Sequence, residues 1–189
     1  MHRASTRGLV ASLLLVSFPQ LASAQGHGAA GSELADRARA ALAPLTALVG
    51  EWEGDAWAIT GPGPRKRYRQ VEDVVQGAGG TVLIVRGTGR SMQAPDSGAI
   101  AFEAAATIWF DPDSSRVRMR AHRAEGVSVV PDIELRPDTL IWGFPVPGGR
   151  VRYIIAYSRT DWHEVGHFLR DGAPPMPFIE MRLTRSTSR

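Results

Sequence analysis

The sequence predicts an all-β protein, in which roughly ten antiparallel strands run up and down around one β-barrel after a short N-terminal helix. From Gly50 onward, short segments of β-branched and aromatic residues alternate with clusters of Gly, Pro, Asp and Ser about every dozen residues. The connections between them, such as residues 111–114 and 147–149, are too short for a parallel crossover, which needs about a dozen residues. Neighbouring strands are therefore expected to be antiparallel.

The first 24 residues have the three-part layout of a secretory signal peptide. Arg3 and Arg7 precede the apolar run of residues 9–16, and small residues at 22–24 provide a cleavage site. The apolar run is too short to span a bilayer, which takes roughly 20 residues. We therefore expect removal of residues 1–24, a mature chain that begins near Gln25 in the periplasm or outside the cell, and no insertion into the membrane.

Residues 25–48 are predicted to form a tail and a short helix. Ser32 is placed to cap the helix, and Pro44 should break or kink it. Apolar residues recur at helical spacing, namely Leu34, Ala38, Ala41, Leu42, Leu45 and Leu48. The barrel domain then takes residues 49–189.

Ten segments of this domain have the composition of strands. They are residues 51–60, 66–75, 81–90, 101–110, 116–123, 127–135, 139–144, 150–160, 162–170 and 178–185. Because the chain contains no cysteine, its core rather than disulfide bonds must stabilise the barrel.

The charge balance argues against nucleic acid as a partner. The formal net charge is +3, of which Arg3 and Arg7 of the leader contribute +2, so the mature chain is nearly neutral. The oligomeric state is not predicted by any feature of the sequence.

The clearest alternation lies in residues 116–122. Arg116, Arg118 and Arg120 share one face with His122, and apolar side chains occupy the other face. This arginine face is either an ordinary solvated surface or an anion-binding wall inside the barrel, and the sequence leaves both open.

His163, Glu164 and His167 match the H-E-x-x-H pattern of zinc metallopeptidases. That chemistry requires a helix, in which four residues rise about 6 Å and place both imidazoles on one side. In a strand the same residues span roughly 13 Å, and residues 162–170 are predicted to be a strand. A second alternative is that His163 or His167 points into the barrel as an axial ligand of haem iron.

The segment Gly50-Glu51-Trp52 resembles the start of the first strand in the lipocalin-like, or calycin, proteins. The resemblance implies that Trp52 closes one end of the barrel beneath a basic residue of the last strand, Arg182 or Arg185. Such an arrangement would add a cation–π contact to a closed floor.

A longer set of residues resembles a family of exported bacterial proteins with a lipocalin-like fold and no established function. The matching segments are residues 50–54, 82–87, 162–166, 171–172 and 178–185. The resemblance explains Glu164 and Gly166 as positions within a strand. The start of the barrel is also similar to that of nitrobindins, which are haem-binding barrels of the same superfamily.

The predicted function is the binding of a small apolar or amphipathic molecule inside the barrel. No set of nucleophile, base and orienting group can be assembled from the sequence, so catalysis is not predicted. No cofactor is required, and haem remains the alternative. The aromatic residues form either core or cavity wall, and the candidate ligand-binding residues are Trp57, Tyr68, Trp109, Arg118, Trp142 and Tyr153.

Overall fold

The computed structural model describes residues 24–186. Residues 1–23, which make up all but the last residue of the predicted signal peptide, lie outside the described residues. Helix α1 spans Ala24–Leu42 and is followed directly by a 3-10 helix, Ala43–Leu48. The α-helix ends where Pro44 was expected to break it, since proline lacks the N–H that a helix interior requires.

The predicted helix start at Ser32 is wrong. Helix α1 already includes residues 24–31, so Ser32 lies within it instead of capping it. This segment contains no proline that would stop the helix from extending towards the N-terminus.

Eleven strands follow, which is one more than predicted. Their bounds are β1 Gly50–Ala58, β2 Lys66–Gly77, β3 Val82–Ser91, β4 Ile100–Asp111, β5 Arg116–Arg123, β6 Ser128–Val129, β7 Asp132–Arg136, β8 Thr139–Val146, β9 Gly149–Tyr157, β10 Asp161–Leu169 and β11 Met176–Arg185. The extra strand arises because Pro131 divides the predicted strand 127–135 into β6 and β7. Proline has no backbone N–H to give to a ladder, so it ends the pairing there.

All strands belong to one antiparallel sheet. Each pairs with its neighbour in the chain except β6 with β7, and β1 pairs with β11. The sheet therefore curls into an up-and-down barrel in which no ladder joins the two edge strands, β6 and β7, although β7 also contacts β5. The predicted all-β, antiparallel barrel fold with an N-terminal helix is confirmed, with the difference that no ladder closes it between β6 and β7.

The 3-10 helix covers one end of the barrel, which we call the closed end. Leu45 and Leu48 are buried there against Trp52 and Trp162, whose rings meet edge to face at 5.8 Å. Helix α1 contacts β3, β4 and β5. No helix among residues 24–186 is long and apolar enough to cross a membrane.

Candidate functional site in the barrel interior

Strand alternation decides which side chains face the interior. Trp52 is buried on β1, and its ladder partners are Arg185 on β11 and Glu72 on β2. Side chains opposite each other in a ladder lie on the same face. The inward positions of β2 are therefore Tyr68, Gln70, Glu72 and Val74, all of which are buried.

Two carboxyl groups lie inside the barrel. Glu72 on β2 is 5% exposed and Glu164 on β10 is 4% exposed. Gln70 donates a hydrogen bond from Nε2 to Glu72 Oε1 at 2.7 Å, and the Trp162 indole donates to Glu164 Oε2 at 3.3 Å. In the described part of the chain, neither carboxyl forms a salt bridge. These two acids are thus buried without a compensating cation.

The sheet makes room for this cluster with glycine. Gly87 on β3 lies opposite Glu72, and a Cβ atom at Gly87 would lie 2.5 Å from Glu72 Oε1. Gly89 lies opposite Gln70, and a Cβ there would be 2.8 Å from Gln70 Oε1. The polar side chains therefore lie flat against the backbone of β3, where a larger residue would displace them.

Burial holds both carboxyls partly protonated near neutral pH. Desolvation raises the pKa of Glu72 to about 7, against the opposing hydrogen bond from Gln70. Desolvation and then the nearby charge of Glu72 raise the pKa of Glu164 to about 8. The two acids are therefore close enough to interact, and both change charge in the physiological pH range.

Aromatic side chains line the interior from the acids towards the opposite end of the barrel, which we call the open end because neither of the described helices lies over it. Trp142 stacks on Tyr153 with ring centroids 3.9 Å apart, and Phe178 meets Tyr153 edge to face at 5.6 Å. Burial and the charge of Glu164 raise the pKa of the Tyr153 hydroxyl, while Arg123 lowers it. The aromatic wall and the acid cluster are therefore parts of one site.

Gly166 allows this wall to pack closely. A side chain at Gly166 would clash with Ile179 on one side and with the Tyr153 ring on the other. Because these groups cross directly over Gly166, Tyr153 lies close to the backbone of β10.

Arg185 lies over Trp52 at the closed end of the barrel. Its guanidinium carbon lies 4.3 Å from the centre of the Trp52 ring, and its three nitrogens donate to the carbonyl oxygens of Ala47, Val49 and Arg159, each at 2.6 Å. The Trp52 indole donates to Leu48 O at 2.7 Å. Gly50 has a φ of 132°, and Arg185 occupies the space that its Cβ would need. Of the two arginines considered for this role, the structure thus places Arg185 over Trp52, whereas Arg182 is exposed and pairs with Glu180.

The structure separates the six predicted ligand-binding residues into two groups. Tyr68, Trp142 and Tyr153 face the interior. Trp57, Trp109 and Arg118 face outwards, because each lies one residue out of phase with a buried neighbour such as Ala56, Ile108 or Met119. Their placement in a cavity wall is therefore corrected. Arg116, Arg118 and Arg120 are all exposed, so the arginine face of β5 is a solvated surface.

The H-E-x-x-H residues lie on strand β10 and not on a helix. His163 and His167 face outwards, whereas Glu164 between them faces inwards. This placement removes the helical geometry that the zinc alternative requires and directs neither histidine to an iron atom inside the barrel. Among the described residues, no group of three or more His, Cys, Asp or Glu side chains is arranged to hold a metal ion.

His163 instead belongs to a polar cluster on the outer surface. Its Nε2 lies 2.8 Å from Glu180 Oε1, and Glu180 also accepts from the Trp57 indole at 3.1 Å. These hydrogen bonds, led by that of His163, lower the pKa of Glu180. A shallow depression of about 440 Å³ lies beside this cluster, lined by Trp57, Glu180 and the arginines at 65, 67 and 182.

Gln70, Glu72 and Glu164 are not among the six predicted ligand-binding residues. The alternation of β2 could have indicated the two polar residues. Gln70 and Glu72 lie on the same face as Tyr68 and Val74, so the face that the apolar residues turn towards the core also carries two polar side chains. Glu164 lies within the H-E-x-x-H match, whose two histidines are on the other face of the strand.

The chain thus folds as a one-sheet, up-and-down antiparallel β-barrel of the lipocalin-like type, with Trp52 and Arg185 at one end and a polar interior. No family model and no curated protein matches the sequence. Among solved structures, Rv2717c from M. tuberculosis superposes with a TM-score of 0.56 at 13% identity, covering 77% of this chain and 97% of its own. The S-type phycobiliprotein lyase CPES from Guillardia theta superposes with a TM-score of 0.54 at 11% identity, covering 82% of this chain and 97% of its own. A mutant of the fluorescent protein UnaG gives a TM-score of 0.41 at 13% identity over 77% of this chain and 99% of its own. At these identities, the first two comparisons establish the fold.

Proposed function

We propose that the protein is an exported carrier of a small amphipathic molecule with a cationic, N–H-bearing head group. The head group pairs with Glu72 and Glu164, and the apolar part lies against Trp142 and Tyr153. The observation that carries the proposal is two carboxyl groups in one barrel interior, each at most 5% exposed, close enough for the charge of Glu72 to raise the pKa of Glu164, and without a salt bridge among the described residues.

The energetics of burial favour a cationic head group. A buried carboxylate without a partner is costly, and a second carboxylate beside it adds repulsion. An ammonium or amidinium group satisfies both acids at once, because it supplies positive charge together with several N–H donors. An anionic ligand would be repelled by the same two carboxylates.

The aromatic wall provides the apolar part of the site. Trp142, Tyr153, Phe144 and Phe178 are partly buried and lie between the acids and the open end. Ligand sites in proteins commonly combine such apolar walls with a few polar groups that fix the orientation of the ligand. The fold shared with a phycobiliprotein lyase is compatible with this use of the barrel.

Binding of matched eight-carbon probes tests the head group. We expect octylamine to bind at least about tenfold more tightly than octanoate at pH 8.5, and octanol to fall between them, as measured by isothermal titration calorimetry. The preference for the amine should grow from pH 6 to pH 9 because the two carboxyls lose their protons at about 7 and about 8. The amine itself stays charged over this range, as a lysine ammonium does with its pKa of about 10.4.

Replacement of Glu72 and Glu164 by Gln should reduce this preference by at least about tenfold while keeping the shape of the site. Glu103→Gln is the matched control, because Glu103 is exposed on the outer face of β4. Binding of octanoate as tight as that of octylamine would overturn the head-group assignment. Absence of binding for all three probes would count against the carrier function.

Export is supported by the layout of residues 1–24, with two arginines, an apolar run and small residues at the end. We expect the protein recovered from its native host outside the cytoplasm to begin near Gln25, as determined by N-terminal sequencing. A chain that retains Met1, or is found only in the cytoplasm, would contradict export.

A further inference from the structure

Exposed apolar side chains collect around the open end of the barrel. Five of them lie in or beside the connections at that end, with exposed fractions from 37% to 54%: Ile59, Met92, Ile100, Val127 and Met176. We call these five residues the rim. They come from four separate connections, β1–β2, β3–β4, β5–β6 and β10–β11.

The rest of the described surface carries fewer such side chains. Val71 and Val75 are exposed on the outer face of β2, Val130 lies in the gap between β6 and β7, and Leu34 lies on α1. None of the large exposed apolar residues lies in the strand connections of the closed end. The apolar exposure is therefore concentrated at the end through which a ligand would reach the aromatic wall.

The same end is also basic. In residues 59–67, 90–100, 123–127, 147–150 and 170–176, the basic side chains are Arg65, Lys66, Arg67, Arg90, Arg123, Arg150 and Arg170, and the acidic ones are Asp96, Glu125 and Asp171. At the closed end, the connections 77–82, 111–116, 136–139 and 157–161 carry Arg116, Arg136 and Arg159 against Asp111, Asp113, Asp138 and Asp161. Arg123 is ion-paired with Glu125 and Arg150 with Asp132, so the net positive charge beside the rim comes from Arg65, Lys66, Arg67, Arg90 and Arg170 against Asp96 and Asp171.

We propose that the open end of the barrel docks on a lipid bilayer that contains anionic phospholipid. The rim side chains enter the interface between head groups and acyl chains, and the surrounding arginines and Lys66 contact the lipid phosphates. This pattern of isolated apolar tips on separate connections suits a bilayer, which each tip can enter individually, better than a protein partner, whose interface has a contiguous packed core.

The expected affinity is moderate. Each basic residue near an anionic membrane surface adds about 1 kcal/mol, and this contribution falls as salt screens it. The rim side chains add apolar burial that depends little on salt. Both features should therefore be needed for binding at physiological ionic strength.

Co-sedimentation of the mature protein with vesicles tests this proposal. We expect binding to vesicles that contain phosphatidylglycerol, at least about fivefold weaker binding to pure phosphatidylcholine vesicles, and a decrease in binding when salt is raised. The double variant Val127→Asp with Met176→Asp should lose most of the binding to the anionic vesicles. The control is Val71→Asp with Val75→Asp, because these valines are 40% and 37% exposed on the outer face of β2, and it should bind as the wild type does.

Three results would overturn the proposal. They are the absence of binding to either vesicle, equal binding to both vesicles without a salt effect, and equal loss of binding in the rim and control variants. A dimer in solution that the rim variant alone disrupts, without vesicle binding, would assign the rim to a second copy of this chain. The assay contains no ligand, so its outcome is independent of the carrier function and of the octylamine measurement.

Discussion

The free energy of unfolding is expected to fall by on the order of 6 kcal/mol as the pH rises from about 5 to about 9. The cause is the pair of buried acids, whose pKa values in the folded protein are about 7 for Glu72 and about 8 for Glu164. In the unfolded chain, a glutamate titrates near its ordinary value of about 4.3. Between these values the folded protein holds more protons than the unfolded chain, so each rise in pH favours unfolding.

The direction of this effect distinguishes it from ordinary acid denaturation. The stability that the protonated acids contribute is fully present below the unfolded pKa and is lost as the pH rises through the folded pKa values. Glu180 acts in the opposite sense, because its pKa is lowered, and its contribution is lost only as the pH falls below the usual glutamate range. The two effects therefore occupy separate pH ranges.

Urea unfolding at a series of pH values measures the effect. The double variant Glu72→Gln with Glu164→Gln should remove most of the slope and should be more stable than the wild type at pH 9, because an amide remains neutral and keeps hydrogen-bonding capacity. Glu103→Gln, on the exposed face of β4, should leave the slope unchanged. A flat wild-type profile between pH 5 and pH 9 would show that the acids do not titrate in this range.

Replacement of Arg185 by Lys is expected to destabilise the protein by roughly 3 kcal/mol, which corresponds to a decrease in Tm of about 6–12 °C. Lysine keeps the positive charge but cannot reach the carbonyls of Ala47, Val49 and Arg159 together, as the forked guanidinium does. It also loses the cation–π contact of the guanidinium with the Trp52 ring. The 3-10 helix would then be held less firmly over the closed end.

Arg182→Lys is the matched control for this prediction. Arg182 lies two residues away on the same strand, but its side chain is 69% exposed and its only described ion pair is with Glu180. Exposed pairs of this kind contribute about 0–1 kcal/mol. Thermal unfolding that shifts equally in both variants would mean that Arg185 does not hold the closed end together.

Most of the strand pattern followed from local chemistry. Strand β5 was predicted with its observed bounds, since the alternation of residues 116–123 has a period that only a strand can have. The position at which α1 ends followed from Pro44, whose effect on a helix is independent of its surroundings. The division at Pro131 was not predicted, because the β-branched residues on both sides of it favour one continuous strand. Proline lacks the backbone N–H that a continuous ladder needs, and the strand is therefore interrupted there.

The site residues were harder to predict because each depends on which face of its strand is turned inward. Trp57 and Trp109 were selected as aromatic residues, yet both lie on the outer face, whereas Trp142 and Tyr153 lie on the inner face. Aromatic character is the same on either face, so composition does not separate these cases. Arg182 and Arg185 posed a similar question, which the ladder pairing of Arg185 with Trp52 decides.

The sequence by itself determined an antiparallel barrel with a helix before it, because turn residues and alternation are local properties of the chain. It also indicated a tryptophan and an arginine at one end through the resemblance of its first strand to calycins. Only the tertiary structure placed Glu72 and Glu164 in one interior, since they lie on strands that are far apart in the chain, and there the charge of Glu72 raises the pKa of Glu164. Burial and mutual charge, which set the pKa values of both acids, are properties of that enclosed space and have no counterpart in either strand alone.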